Sequence, residues 1–306
     1  MENIENLAPI CLFVYSRLVE LKLTVQSLQK NILASESQLF IFLDGPANLD
    51  DKEKVKEVKE FIHTICGFAQ VTIYESDVNK GLANSIISGV SKMLEKYETV
   101  IVLEDDLILA TNFLCYMNQA LNYYTDKKRI LSISGYSFKL KYPQNYHYDV
   151  ALSLRASSWG WATWKDRWFV IDWELNDYSS FKWNFIKQIS FNRGGSDLSH
   201  MLSRRIKGLI DSWAIRFVYH QYKHNYLDVF PIVSKVLNNG FSSEATHTKF
   251  KSERFETQLD VSGQCSFTFL DAIEEDKSVT SQFYNHYSFS NRIKDKLLQI
   301  LWKKRK

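Results

Sequence analysis

The sequence predicts an α/β fold in which a mostly parallel sheet is flanked by helices. Through the first 135 residues, short apolar runs of strand length alternate with longer segments in which apolar residues have helical spacing. Continuous apolar runs are typical of parallel strands that are covered on both faces. Alternating strands and helices favour right-handed crossovers, which place successive strands parallel in one sheet. Glycine (11) and proline (4) are scarce, which argues against long flexible linkers.

The first half contains four predicted strands separated by helices. The strands cover residues 9–15, 39–43, 70–74 and 100–103, each a mainly apolar run. The helices cover residues 18–30 and 50–65, and a third helix opens within residues 79–84 and ends near residue 96. In the first helix Leu18, Leu21 and Val25 recur at helical spacing, and Ser16 stands at the N-cap position.

The second half has weaker signals and a different composition. We predict a helix at 112–124, strands at 130–134 and 152–154, helical spacing at 161–168, and helices at 198–210 and 211–224. Residues 226–236 are predicted to be extended, residues 238–240 break this segment, and residues 241–285 are predicted to be mostly irregular with some strand. All eight tryptophans follow residue 150. We therefore predict one domain, 1–285, with a nucleotide-type half, 1–135, an aromatic half that binds a different ligand, 136–285, and a tail, 286–306.

Composition narrows the class of protein. With 45% hydrophobic and 24% charged residues, the chain of 306 residues matches an ordinary globular enzyme. A net charge of only +3 gives no reason to expect a nucleic-acid partner. The four cysteines are scattered without CxxC spacing, so we expect reduced thiols in a cytoplasmic protein rather than disulfides. No basic signal-peptide region and no apolar run of about 18 residues is visible, so we expect neither secretion nor a membrane span.

Three adjacent carboxylates, Glu104, Asp105 and Asp106, follow the predicted strand at 100–103. They would lie at the carboxyl edge of the sheet, where open α/β sheets bind ligands. Their mutual repulsion favours a divalent cation, and hard oxygen ligands suit Mn2+ or Mg2+. The alternative is a strand that runs out into a solvated acidic loop.

Several short motifs occur in a fixed order between residue 9 and about residue 250. They are residues 9–17, 44–45, 79–84, 104–107 with Phe113, 132–136, 158–164 and 211–216. In this order and spacing the chain resembles nucleotide-sugar-dependent glycosyltransferases of the GT-A fold. It is similar to the bacterial family 2-like enzymes and to the N-acetylglucosaminyltransferase I type. We expect no counterpart here of the animal enzymes' membrane anchor, which weakens any transfer of their sugar specificity.

The resemblance implies a donor site in the first half. Asp106 would bind Mn2+ or Mg2+ on the donor diphosphate, with Glu104 in the same motif and Asp105 facing the ribose or donor sugar. The nucleoside would be held by the segment Tyr15, Ser16 and Arg17, and Asp44 would pair with uracil N3–H. A loop of Asn79, Lys80 and Gly81 would close on the donor. The alternatives are a plain Asp-Gly turn at Asp44 and an ordinary helix start capped by Asn79 or Asp77.

The resemblance also implies a catalytic base and an acceptor pocket. Asp211 matches the carboxylate that deprotonates the acceptor hydroxyl, and a neighbouring aromatic wall at Trp213 would partly desolvate it. The alternative is that Asp211 caps the helix from Ser212 to His224. The sugar and acceptor pocket would be formed by Trp159, Gly160, Trp161 and Trp213, with Trp159 and Trp161 exposed; core packing is the alternative. By analogy His247 is a second candidate for the metal or diphosphate.

The resemblance implies an inverting, metal-dependent transfer of a sugar from a UDP-sugar, with GlcNAc as the best assignment. The acceptor would be a glycan or lipid-linked glycan, such as a capsule or lipopolysaccharide intermediate. One alternative is a sugar nucleotidyltransferase, although residues 15–18 lack the glycine-rich phosphate loop typical of that class. The other alternative is a non-catalytic glycan-binding module that uses the Trp-rich half.

The tail is predicted to be a basic amphipathic helix. Leu297, Leu298 and Trp302 are mixed with basic residues that include 303–306. Such a helix can rest on an anionic membrane surface, at the inner face of the cytoplasmic membrane. A frayed, solvated chain end is the alternative.

Overall fold

The computed structural model describes residues 7–240 and 257–294. The strands are β1 (Ile10–Val14), β2 (Gln38–Leu43), β3 (Gln70–Glu75), β4 (Thr99–Glu104), β5 (Leu107–Leu109), β6 (Ile130–Ser134), β7 (Val150–Ser153), β8 (Trp161–Trp164), β9 (Leu227–Pro231) and β10 (Val236–Asn238). The helices are α1 (Leu18–Gln29), α2 (Asp51–Ile62), α3 (Leu82–Leu94), α4 (Phe113–Tyr123), α5 (Lys165–Trp168), α6 (Tyr178–Lys182), α7 (Phe185–Phe191), α8 (Leu198–Ile206), α9 (Trp213–Lys223) and α10 (Lys277–His286).

Eight of these strands form one sheet in the order β3-β2-β1-β4-β8-β6-β9-β7. Parallel pairs join β3 to β2, β2 to β1, β1 to β4, and β6 to β9. Strand β8 lies antiparallel between β4 and β6, and β7 lies antiparallel on β9. All strands of the sheet except β7 and β8 therefore run in one direction, which confirms the predicted mostly parallel α/β fold.

The central strands are covered on both faces, as their continuous apolar sequences predict. On β1 and β4, Leu12 and Leu103 lie in a core cluster shared with α1, α2 and α4. Their neighbours Phe13 and Val102 point to the other face, into a cluster shared with α3 and α9. Alternation of side chains along a strand produces this two-sided burial. The carboxyl ends of β1, β2 and β4 are thereby held at one rigid edge.

Four helices in the second half of the chain pack together. Helices α6, α7 and α8 pack on α9 through a separate apolar cluster that includes Phe181, Phe191, Leu202 and Tyr219. Strand β10 pairs antiparallel with β5, with Val236 opposite Leu109. This small sheet carries residues 238–240 to the end of β4.

Several predicted elements of the second half need correction. Residues 161–164 form strand β8, and only Lys165–Trp168 is helical. The extended segment at 226–236 is divided into β9 and β10, and Lys277–His286 is helical where an irregular segment was expected. At the start of α10, the Asp276 side chain accepts hydrogen bonds from the backbone amides of Ser278 and Val279. Residues 161–164 form a strand because they pair with β4 and β6. The spacing of apolar residues within the segment does not reveal this pairing.

The prediction that all four cysteines are reduced is wrong for one pair. Cys115 on α4 and Cys265 form a disulfide, with their Cα atoms 5.5 Å apart, whereas Cys11 and Cys66 are free. The segment after residue 256 runs over α4, where the Gln119 side-chain amide donates to the Cys265 carbonyl at 2.8 Å. The two cysteines are 150 positions apart, so their spacing carried no signal of the pairing.

Two predictions concern residues outside the described ranges. His247 lies in the segment 241–256, and the tail is described only as far as residue 294. Within residues 7–240 and 257–294, no helix combines the length and apolar composition that crossing a bilayer requires.

Helix α9 carries a histidine whose burial makes stability depend on pH. His220 is 3% exposed, and its Nε2 has no hydrogen-bond partner within the described part of the chain. Burial lowers the pKa of His220 from 6.5 to about 4. Between these values the unfolded chain binds the proton and the folded chain does not, so stability falls as the pH falls.

We expect the free energy of unfolding to lose about 3 kcal/mol from this group between pH 7 and pH 4. In His220→Gln, the free energy of unfolding measured with urea should fall by about 3 kcal/mol less than in wild type between pH 7 and pH 4. His200→Gln is the matched control, because His200 lies exposed on α8, and it should keep the wild-type profile. Parallel profiles for wild type and His220→Gln would show that His220 does not fold as a neutral group.

Candidate active site

A cavity of about 640 Å³ opens at the carboxyl edge of β1, β2 and β4. Most of the predicted site residues line it: Tyr15, Ser16, Arg17, Asp44, Asn79, Gly81, Glu104, Asp105, Asp106, Trp159 and Asp211. The predicted residues Lys80, Gly160, Trp161 and Trp213 are not in its lining. Residues that are distant in sequence but follow strand ends are therefore brought to one place, as parallel topology requires.

The acidic motif at the end of β4 is paired with an arginine from the end of β1. Arg17 donates to Asp105 Oδ1, and it donates to Asp106 Oδ2 at 2.8 Å. The backbone amide of Tyr15 faces Asp105 Oδ2 at 3.4 Å. Arg17 was predicted to hold the nucleoside, and the structure places its guanidinium against the carboxylates.

One arginine does not neutralise three carboxyl groups. Burial raises the pKa of Asp105 to about 6, against the opposing effect of Arg17. Burial and the charge of Asp106 raise the pKa of Glu104 to about 8. The anionic forms of Glu104 and Asp105 are thus disfavoured, and an additional positive charge beside the motif would stabilise them.

The motif has chemistry that suits a divalent cation. Asp106 Oδ1 is buried and has no hydrogen-bond partner within residues 7–240 and 257–294. Those residues hold no cluster of three or more His, Cys, Asp or Glu side chains in a metal-binding arrangement. Mg2+ and Mn2+ commonly use one or two protein carboxylates and complete their coordination with phosphate oxygens and water. The unpartnered oxygen of Asp106 fits a cation that is held in this way.

Residues after β10 complete the wall beside Asp106, and sequence reasoning missed them. The backbone amide of Asn239 donates to the Asp106 carbonyl at 2.7 Å. A Cβ at Gly240 would overlap Asp106 Oδ2, so a side chain there would displace the Asp106 carboxylate. The Asn-Asn-Gly sequence at 238–240 indicates a turn but not its destination.

Helix α2 also contributes to the cavity. The Tyr15 hydroxyl donates to Asp51 Oδ2 and accepts from the Ala47 backbone amide, each at 2.8 Å. These bonds fix the tyrosine ring at the cavity wall. Asp51 and Lys54 line the same wall and were not predicted as site residues.

Asp44 anchors the loop that was predicted to close on the donor. Its carboxylate accepts from the amides of Gly45 at 3.0 Å, Lys80 at 2.9 Å and Gly81 at 3.0 Å. Asn79 donates to the Gly45 carbonyl at 2.8 Å. Neither Asn79 nor Asp77 caps α3; Gly81 occupies the N-cap position with φ of 75°. The loop is thus held to the end of β2 by a buried carboxylate.

Asp211 lies at the start of α3 rather than capping its own helix. Its Oδ2 accepts from the Ala83 backbone amide at 3.3 Å, and the N-terminal end of a helix favours a carboxylate. Ser212 is the N-cap of α9 and accepts from the Ile215 amide, so the alternative role of Asp211 as that cap is wrong. The partial desolvation expected for Asp211 is not found, because Asp211 is exposed; the Trp213 ring is 3% exposed and stacks on Trp161.

The tryptophans divide between cavity and core. Trp159 is partly exposed in the cavity, with its ring 4.5 Å from that of Tyr136. The prediction that Trp161 is exposed is wrong, because it is 1% exposed and stacks on Trp213 at 4.7 Å. Gly160 has φ of 61°, and its close contacts are with Phe113 and other core side chains. Strand β8 is buried on both faces, which turns these residues inward.

Comparisons with known proteins give structural likenesses alone. No protein-family model and no curated protein matches the chain. The mannosyltransferase PcManGT from Pyrobaculum calidifontis, in complex with GDP-Man and Mn2+, is 11% identical with a TM-score of 0.35, over 53% of this chain and 46% of that one. S. aureus TarS 1-349 is 10% identical with a TM-score of 0.39, over 76% of this chain and 61% of that one. Each match spans less than two thirds of the known chain.

Proposed function

We propose that this chain is an inverting, metal-dependent glycosyltransferase that uses a UDP-sugar, with GlcNAc as the assigned sugar. The acceptor is a hydroxyl of a surface glycan, such as a capsule or lipopolysaccharide intermediate on a lipid carrier at the inner face of the cytoplasmic membrane. One observation carries the proposal. A single cavity holds an acidic motif with an unpartnered buried oxygen, an arginine, an aromatic wall and a separate carboxylate.

The donor half of the cavity supplies binding and charge. The Tyr15 ring is held in place for stacking against a base, and Asp44 holds the loop at 79–81 beside it. Arg17 can pair with phosphate oxygens through its planar donors. Mn2+ or Mg2+ at Asp106 would stabilise the negative charge that develops on the leaving nucleoside diphosphate.

The acceptor half supplies the base. Asp211 takes the proton of the acceptor hydroxyl while that oxygen attacks the anomeric carbon and the bond to the diphosphate breaks. The hydrogen bond from the Ala83 backbone amide orients the carboxylate at the start of α3. Trp159 offers a flat face for a sugar ring.

The test is a calorimetric titration of UDP, with Mn2+ and with EDTA, on wild type and Asp106→Asn. We expect UDP binding to wild type to need the metal, and the variant to bind about 10- to 100-fold more weakly. Asp51→Asn is the matched control, because it removes a cavity carboxylate that lies outside the acidic motif.

Equal binding with Mn2+ and with EDTA would contradict the metal dependence. Binding of GDP but not UDP would contradict the assigned donor class. Absence of any nucleotide binding, in a protein that binds glycans, would replace the proposal with a glycan-binding module.

A further inference from the structure

Helices α6 and α7 present large apolar side chains to solvent. Four of them, Trp183, Phe185, Ile186 and Ile189, are 75%, 74%, 81% and 71% exposed. We call these four residues the α7 patch. Single exposed apolar residues are ordinary, but a group of this size on one segment marks an interaction surface.

The exposure follows from how α7 is anchored. Phe181 and Phe191, on either side of the patch, are 2% exposed and pack on Tyr219 of α9. Residues 185, 186 and 189 have i, i+1, i+4 spacing, which places them on one face of the helix. The inward face of α7 already packs on α9, so the apolar side chains on its outward face do not contribute to this core.

Basic residues accompany the patch in the sequence. Residues 178–196 contain Lys182, Lys187 and Arg193 and no acidic residue, and Arg193 is paired with Glu275 from outside this segment. The Lys182 ammonium lies 4.7 Å from the Trp183 ring centre. The acidic residues that flank this segment are already paired, Asp177 with Lys223 at 3.0 Å and Asp197 with Arg155 at 2.7 Å. The surface that approaches from solvent therefore meets apolar side chains and cationic groups.

We propose that the α7 patch docks on an anionic phospholipid bilayer. The aromatic and isoleucine side chains enter the boundary between headgroups and acyl chains, and Lys182 and Lys187 contact anionic headgroups. Charge complementarity favours this occupant over a protein, because the cores of protein interfaces are depleted in lysine. The patch is built on α6, α7 and α9, a different stretch of the sequence from the predicted basic tail, and the proposal does not depend on sugar transfer.

The proposal is tested by cosedimentation of the full chain with phosphatidylcholine vesicles, with and without about 30% anionic phosphatidylglycerol. Wild type should bind the anionic vesicles, and Phe185→Ser with Ile186→Ser and Ile189→Ser should bind about 10- to 100-fold more weakly. Lys182→Gln with Lys187→Gln should lose about 30-fold, on anionic vesicles only. Val261→Ser, at a single residue 88% exposed, is the matched control and should bind as wild type does.

Every variant keeps the tail, so any contribution of the tail is constant across the series. Equal binding by wild type and the triple variant would overturn the proposal, as would absence of wild-type binding. A wild-type dimer in sedimentation velocity that becomes a monomer in the triple variant, without vesicle binding by either, would overturn it in favour of self-association. Thermal unfolding of each variant confirms that the fold is retained.

Discussion

Asp211→Asn should lower sugar transfer by about 10²- to 10⁴-fold and leave the Kd for UDP unchanged. The amide cannot accept the proton of the acceptor hydroxyl. Its oxygen can still accept the hydrogen bond from Ala83 at the start of α3, so the loop at 79–81 keeps its position. The measurement is the release of UDP from the UDP-sugar and glycan acceptor found by screening, together with calorimetry of UDP.

Asp51→Asn provides the comparison for this variant. Asp51 lines the same cavity and accepts from the Tyr15 hydroxyl at 2.8 Å, and a side-chain amide oxygen can still accept that bond, so both kcat and KM for the donor should stay nearly unchanged. An unchanged kcat in Asp211→Asn would remove the assignment of the base. Loss of UDP binding in that variant would instead give Asp211 a structural role beside Gly81.

Asp260→Asn should lower the free energy of unfolding by about 3–5 kcal/mol. Asp260 forms a buried ion pair with Lys235 and accepts from Asn112 at 2.9 Å and from the Ser262 amide at 2.8 Å. Burial raises the pKa of Asp260, but these hydrogen bonds outweigh it and hold the pKa well below its ordinary value. The amide leaves the Lys235 ammonium buried without a counter-charge. Urea denaturation at pH 7 measures the loss.

Two further variants sharpen this result. Asp271→Asn breaks the exposed pair with Lys127 and should leave the free energy of unfolding nearly unchanged. Lys235→Met combined with Asp260→Leu removes both charges and should recover much of the lost stability. If Asp260→Asn and Asp271→Asn unfolded at the same urea concentration as wild type, the buried pair would not be a determinant of stability.

The fold of the first half could be predicted because its signals are local. The run at 100–103 is apolar on both faces and ends in carboxylates, which is enough to place a central strand and a ligand edge. Strand β8 could not be predicted from local signals. Positions 161, 164 and 168 fit helical spacing, and only pairing with β4 and β6 makes 161–164 a strand.

The candidate site divides in a similar manner. Asp106 was predicted from the place of the acidic motif after a strand, and Tyr15 and Asp44 were predicted from the resemblance to glycosyltransferases. Gly240 reaches Asp106 through the small sheet of β5 and β10, and that pairing joins segments more than a hundred residues apart. The burial of Trp161 was not predicted for the same reason. It depends on the pairing of β8 with β4 and β6, which the local sequence does not reveal.

The insertion of β8 between β4 and β6 also bears on how the chain folds during synthesis. Until residues 161–164 leave the ribosome, the β4 side of the growing sheet is an unpaired, apolar edge. Such an edge is a template for pairing with other chains. Residues 161–164 therefore protect the growing chain from such pairing, because they close the edge that β4 leaves open.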